Sequence, residues 1–205
     1  MSDLPEWTAL KSALYPLSDP PMGEAWNQKE LIDLLPVGRL AEAAVLVGLV
    51  PRTEGVHVLL TRRNDALRHH AGQVSFPGGR AENGDDGAIA TATRESCEEI
   101  GLRPEQIAPL GYLDPFATTS GFRVIPVVAA ITSDYIAKPD PAEVADVFEV
   151  PLYYLMTPEN LRHVYMEYRG HRRMVLEYDW PGYRIWGATA SILCNLRQRL
   201  ENSRA

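Results

Sequence analysis

Apolar positions along the chain follow two rhythms. Residues 43–50 form an unbroken apolar stretch of eight, and residues 56–60 (Val-His-Val-Leu-Leu) form a second, shorter one, with a turn at 51–55 between them. Short apolar runs bounded by Pro and Gly predict two buried strands, 44–50 and 56–60. A polar, glycine-bearing loop is expected over 64–86. A helix is predicted over 87–100, with Asp86 as its N-cap, Gly101 as a left-handed C-terminal cap and Leu102 as the apolar partner of that cap. Strands then recur at 110–113, 122–132 and 144–150, and a short helical piece follows Pro151. A hairpin around Gly170 joins arms at 164–168 and 173–178, and 183–186 reads as a last strand. Residues 188–200 close the chain as an amphipathic helix, with Ile192, Leu193, Leu196 and Leu200 on one stripe. This order of elements predicts an α+β fold, a mixed sheet sandwiched between helices.

The first forty residues break the rhythm. Helical signals at 6–15 and 28–35 are interrupted by prolines at 5, 16, 20, 21 and 36. Such close prolines predict an arm over 1–40 that packs on the core, leaving 41–205 as a single domain. A chain of 205 residues with 45% hydrophobic and 23% charged residues can build a core without staples. The two cysteines, Cys97 and Cys194, make no CxxC pair, which excludes a zinc knuckle or a dithiol redox motif. The net charge of −7 argues against binding a long polyanion, so no nucleic-acid partner is expected. The longest apolar run is far short of the roughly 20 residues of a membrane helix. The start, Met-Ser-Asp-Leu-Pro-Glu, has no basic or apolar leader pattern. The chain reads as cytoplasmic, with no membrane partner.

Candidate chemistry gathers between Leu59 and Leu102. Glu95, Glu98 and Glu99 stand three and four residues apart, hence on one helix face, with Cβ atoms about 5–6 Å apart. Like charges so placed destabilise a helix by roughly 0.2–0.5 kcal/mol per pair, and a divalent cation wanting hard oxygen ligands would compensate. On its own, such a triplet reads first as a solvated acidic face, since acid-rich helix faces are common. The neighbouring Gly78-Gly79 allows close backbone approach to a ligand.

Together these residues resemble the Nudix box, G-x5-E-x7-R-E-U-x-E-E-x-G-U, in which U is a bulky aliphatic. Gly79, Arg94, Glu95, Glu98, Glu99, Gly101 and Leu102 match. The interval from Gly79 to Arg94 is one residue longer than standard, Asp85 replaces the first glutamate, and Ser96 stands where an aliphatic is usual. Upstream, Leu60-Thr61-Arg62-Arg63, Arg68, Gly72 and Phe76-Pro77-Gly78-Gly79 resemble the signature of the coenzyme A diphosphatase branch of the Nudix hydrolases. In that branch the extension and the aspartate are expected features. The resemblance implies a Nudix-like α/β/α fold and a Mg2+- or Mn2+-dependent hydrolase. It would cleave the diphosphate of coenzyme A or acyl-CoA to adenosine 3′,5′-bisphosphate and (acyl-)4′-phosphopantetheine. Alternatives are hydrolysis of another nucleoside diphosphate such as ADP-ribose, or a Nudix-like module that binds a nucleotide without cleaving it.

Roles follow from residue chemistry. Glu95 and Glu99, a full turn apart, are the firmest candidate metal ligands, assisted by Glu98 and the Gly79 carbonyl. Arginine forks suit phosphate oxygens, so Arg68 is the first choice for substrate, followed by Arg62, Arg63 and Arg80. Because side chains alternate along a strand, only one of Arg62 and Arg63 is expected to face the site. Arg94 reads as a brace for the glycine loop or a helix glutamate. The general base stays open among Glu98, Glu95 and Glu143. Cys97, beside three acids, should have a raised pKa and no nucleophilic role. Tyr112, Phe116, Phe122, Tyr153 and Tyr154 are candidates to stack on a base, or else core or rim residues. The partner is a small nucleotide; a homodimer is left open.

Overall fold

The long strand predicted around residues 44–50 sits at the centre of the molecule. In the computed structural model, which describes residues 5–168 and 170–203, it is β1 (Ala41–Arg52). It pairs antiparallel with β2 (Gly55–Arg63) and with β4 (Gly78–Arg80), and parallel with β7 (Phe122–Ile131). β3 (Val74–Ser75) and β8 (Val144–Pro151) both pair with β2. β5 (Ile107–Tyr112) and β6 (Phe116–Ala117) pair with β7. A separate three-stranded sheet has the order β11 (Tyr183–Trp186), β10 (His171–Trp180), β9 (Leu161–Tyr168). The helices are α1 (Pro5–Ala13), α2 (Gly87–Ile100), α3 (Leu152–Met156) and α4 (Ala188–Asn202).

Period-two alternation sorts the core into two layers. Leu46 and Val50 of β1, Leu59 of β2 and Val127, Ala129 and Ile131 of β7 face α2, where Ala92 and Ile100 meet them. Val47, Leu49, Val58, Leu60, Val128 and Ala130 point the other way, against Leu193 and Leu196 of α4, Trp7 and Leu10 of α1, and Tyr178 and Ile185 of the small sheet. Each fully buried leucine contributes roughly 1.5–3 kcal/mol, so both layers matter for stability. The mixed sheet between helical layers is the α+β, α/β/α architecture that the pattern predicts.

Several local expectations need correction. The loop at 64–86 contains two short strands, β3 and β4, too brief to leave a period in the sequence. Residues 28–35 yield only a 3-10 turn at Gln28–Leu31, because Pro36 follows closely. Asp86 makes no capping hydrogen bond through its side chain; the next residue, Gly87, has φ +79, and this turn carries Asp86 away from the first helical amides. Gly101 does cap α2 in the left-handed region, with φ +68 and its N–H donating to the Cys97 carbonyl.

Residues 15–27 lie along β5–β7. Tyr15 and Tyr112 exchange backbone hydrogen bonds, and the Asn27 side-chain amide pairs with both backbone groups of Ala117. Arg123 donates to the Pro21 and Gly23 carbonyls. At the far end of the β1–β2 hairpin, Arg52 grips Glu149 through Nε and Nη2 at 2.9 and 2.5 Å, and the Tyr135 hydroxyl donates to the same carboxylate at 2.6 Å. No helix among the described residues is long and apolar enough to cross a membrane.

Candidate active site

The glycine pair is fixed by what surrounds it. A Cβ on Gly78 would lie 2.4 Å from the Ala44 carbonyl oxygen, so only glycine lets β4 lie this close to β1. A Cβ on Gly79 would lie 2.5 Å from the Glu95 carboxyl carbon. The glycine therefore makes room for the Glu95 carboxylate against the backbone of β4. The Gly78 N–H donates to Glu99 Oε2 at 3.1 Å. Glu95 and Glu99, one turn apart on α2, thus converge on the glycine turn.

Glu98 takes a different direction. Its side chain is 60% exposed and meets Arg94 Nη1 at 3.1 Å. The same Nη1 donates to Glu95 Oε1 at 2.9 Å, while Nε and Nη2 fork onto Asp85 at 3.0 and 2.9 Å and Nη2 also reaches the Arg80 carbonyl. Part of the repulsion that the spacing assigns to a cation is therefore offset by Arg94 within the protein. Among the described residues no group of three or more His, Cys, Asp or Glu side chains is drawn together as a ready metal cage. Glu95 and Glu99 therefore form a pair at the glycine turn, with the exposed Glu98 beside it.

The sequence marked Asp85 as a departure from the general box that the branch resemblance expects, and gave it no role. Here it is the anchor of the site: besides the Arg94 fork it accepts from the Thr91 hydroxyl and the Glu82 N–H, both at 2.9 Å. These donors, Arg94 first, hold its carboxyl well below the usual carboxylate range. The signal that could have found it is its place between the glycines and the arginine.

The electrostatics of the pair run the other way. Burial pushes the Glu99 carboxyl up to about 7, against the Gly78 N–H and Arg63, which pull it down. Burial also raises Glu95, against Arg94. Glu143, exposed on the segment before β8, adds repulsion to both. That segment is tied down at each end: the Lys138 and Asp140 N–H groups donate to the Ile100 and Glu99 carbonyls, and the Asn64 N–H to the Glu143 carbonyl, each at 2.8 Å. Burial, followed by Glu98 and Glu105, raises the Cys97 thiol.

The arginines divide. Arg63 reaches Glu99, Nη1 to Oε1 at 3.6 Å, and its Nε is buried without a hydrogen-bond partner among the described residues. Arg62 instead holds Asp65 at 2.6 Å. Arg68 and the Arg80 side chain are exposed, as are His69 and His70. Of the aromatic candidates, Tyr112 and Phe116 are core residues, 5% and 7% exposed, and cannot stack on a ligand. Tyr154 packs edge-on against Trp180, with its hydroxyl on the Asp179 carbonyl; Phe122 is half-buried, and Tyr153 is exposed.

Two carboxylates raised by desolvation, the buried Glu99 and the half-buried Glu95, next to a turn of close-lying backbone, are a hard-oxygen donor set. They fit a divalent cation whose remaining positions are filled by water and phosphate. Residues 41–177 match the NUDIX domain. The chain belongs to the Nudix hydrolase family. Members generally need divalent metal ions and act on small nucleotide substrates. The chain is 38% identical over 159 residues to the uncharacterized Nudix hydrolase NudL of Photorhabdus laumondii, covering 78% of this chain and 84% of that one. It is 39% identical over 162 residues to the chloroplastic Nudix hydrolase 22 of Arabidopsis thaliana, covering 76% and 54%. Among solved structures, the Nudix hydrolase RenU from M. Smegmatis is 23% identical, with a TM-score of 0.48 over 57% of this chain and 73% of that one.

Proposed function

We propose that this Nudix hydrolase cleaves the diphosphate of coenzyme A or its acyl thioesters, releasing adenosine 3′,5′-bisphosphate and (acyl-)4′-phosphopantetheine, as a cytoplasmic enzyme. The observation that carries the reading is the convergence of Glu95 and Glu99 on the Gly78–Gly79 turn beneath Arg63. The coenzyme A class rests on the resemblance of residues 60–79 to the signature of that branch.

Glu95 and Glu99, with Glu98 and the Gly79 carbonyl, would hold Mg2+ or Mn2+. Such a cation lowers the pKa of bound water and neutralises phosphate charge. Arg63, whose side chain is 25% exposed beside Glu99, would take a phosphate oxygen through its guanidinium. Arg68 and Arg80, both exposed, would supply further cationic groups for the substrate, Arg68 first for the 3′-phosphate, with Arg62 available only if it leaves Asp65. Arg94 and Asp85 hold the glycine turn and helix together, so that the carboxylates are in place before substrate arrives. Glu143, within electrostatic reach of both glutamates on a tethered segment, is a candidate general base beside Glu98 and Glu95.

Product identification tests the reading. Incubation with coenzyme A and millimolar Mg2+ or Mn2+, followed by mass spectrometry, should yield adenosine 3′,5′-bisphosphate. Faster cleavage of ADP-ribose or dephospho-coenzyme A than of coenzyme A would overturn the substrate class, since neither carries the 3′-phosphate.

A further inference from the structure

The three-stranded sheet ends at β9, and no strand lies along its outer side among the described residues. An edge of unpaired backbone N–H and C=O groups is a template for another strand unless it is guarded by proline, lysine, a bulge or a covering element. β9 reads Leu-Arg-His-Val-Tyr-Met-Glu-Tyr: no proline, no glycine, no lysine, and one formal charge of each sign. Its register with β10 is unbroken from Leu161 to Tyr168, so no bulge turns the edge away. Tyr165 is 58% exposed, and its cross-strand partner Met174 is 56% exposed. The Arg172 guanidinium lies 4.2 Å over the Tyr165 ring, stiffening it in place.

We infer that a second copy of this chain pairs with β9, antiparallel, about a two-fold axis at Tyr165. Geometry restricts the register. Directly opposed residues in an antiparallel pair point to the same face, so a strand pairing with its own copy must oppose residues of equal parity. With the axis at Tyr165, His163 faces Glu167 of the second copy, Val164 faces Met166, and Tyr165 faces itself. Glu167 already stands opposite Arg172 on β10. It would then lie between Arg172 and the second copy's His163, and this arrangement occurs twice by symmetry. Moving the axis to Val164 sets Glu167 against Leu161 and loses the complementarity. The chosen register joins two three-stranded sheets into one of six. Strand-edge pairing buries less surface than a standard interface, so a weak dimer with Kd of about 1–100 µM is expected.

Light scattering and sedimentation on the full chain test this across that concentration range. Tyr165→Glu puts two carboxylates opposite each other at the axis and should raise Kd at least about tenfold. His163→Glu and Glu167→Lys should each weaken self-association, while an equimolar mixture of the two should restore a dimer, because each then presents opposite charge to the other. Tyr165→Cys should cross-link under mild oxidant, since residues opposed across the axis have Cβ atoms about 4.5–5.5 Å apart; Val164→Cys should not, because it opposes Met166. Circular dichroism and turnover, read for every variant, should match the parent, as none of these residues belongs to the site. A parent chain that stays monomeric at about 100 µM overturns the proposal. So does a dimer that ignores Tyr165→Glu and does not cross-link through Tyr165→Cys.

Discussion

Two acids near the β2–β8 ladder sit beside arginines, and they have opposite fates. Glu149, opposite Leu59, is gripped by Arg52 through two nitrogens and by the Tyr135 hydroxyl. Burial alone would raise it, but these partners outweigh burial and lower its pKa. Glu99, facing the other end of β2, is 5% exposed, has one N–H at 3.1 Å and an arginine at 3.6 Å, and is pushed up to about 7. The first acid is compensated by its own protein, as a structural ion pair should be. The second is left short of positive charge, with Glu95 and Glu143 adding to the deficit. A carboxylate kept at such a disadvantage marks a place that needs a further cation or ligand.

The largest effect expected from this contrast is on catalysis. Glu99→Gln should lower turnover by about 10³-fold with the fold intact, whereas Glu149→Gln should leave turnover per folded molecule within about twofold. Steady-state kinetics beside circular dichroism would decide; equal losses at both positions would erase the distinction.

Stability against pH should show the two acids with opposite signs. Glu99 has its folded pKa raised from 4.5 to about 7, so its contribution is fully present below 4.5 and is lost as pH rises through 7. The metal-free protein should weaken over that window by on the order of 2–3 kcal/mol, and Glu99→Gln should flatten the fall. Glu149 has its folded pKa lowered from 4.5, so its contribution is present above 4.5 and disappears as pH falls through the lowered value. Denaturant titrations from pH 3 to 8, about one pH step apart, would separate the limbs.

A smaller loss attends the structural cluster itself. Arg52→Met leaves the half-buried Glu149 with only Tyr135 and should cost about 1–3 kcal/mol, read as a lower denaturation midpoint at unchanged slope. Smallest is the split between the neighbouring arginines. Arg63→Ala should reduce kcat/KM by about tenfold, and Arg62→Ala by no more than about twofold, because Arg62 is occupied by Asp65. A reversed order would move the phosphate contact to the other face of β2.

Much of this was legible in residue order, for identifiable reasons. The bounds of α2 coincide with the predicted 87–100; the left-handed glycine stop at Gly101 is a local mark in the sequence, whereas the cap expected from the Asp86 side chain does not form. The closing helix and the hairpin around Gly170 likewise carry their own periods. The short β3, β4 and β6 were not legible or were read as loop, since strands of two or three residues exist only through their partners. Within the site, helical spacing put Glu95, Glu98 and Glu99 on neighbouring positions, but it could not say that Arg94 would draw Glu98 aside. Nor could it show that a glycine at 79 is required by the carboxylate of Glu95 packed against it.

By itself, then, the amino-acid order determined the longer helices and strands, where the acids and glycines fall, and which family's chemistry they suit. Those are properties of neighbours along the chain, governed by backbone preference and periodicity. Only the tertiary structure decided that Asp85 anchors Arg94, that Arg63 and not Arg62 meets Glu99, and that Glu99 is the strained acid while Glu149 is at rest. Burial and the distance to an opposite charge set those outcomes, and both depend on residues brought together from distant parts of the chain.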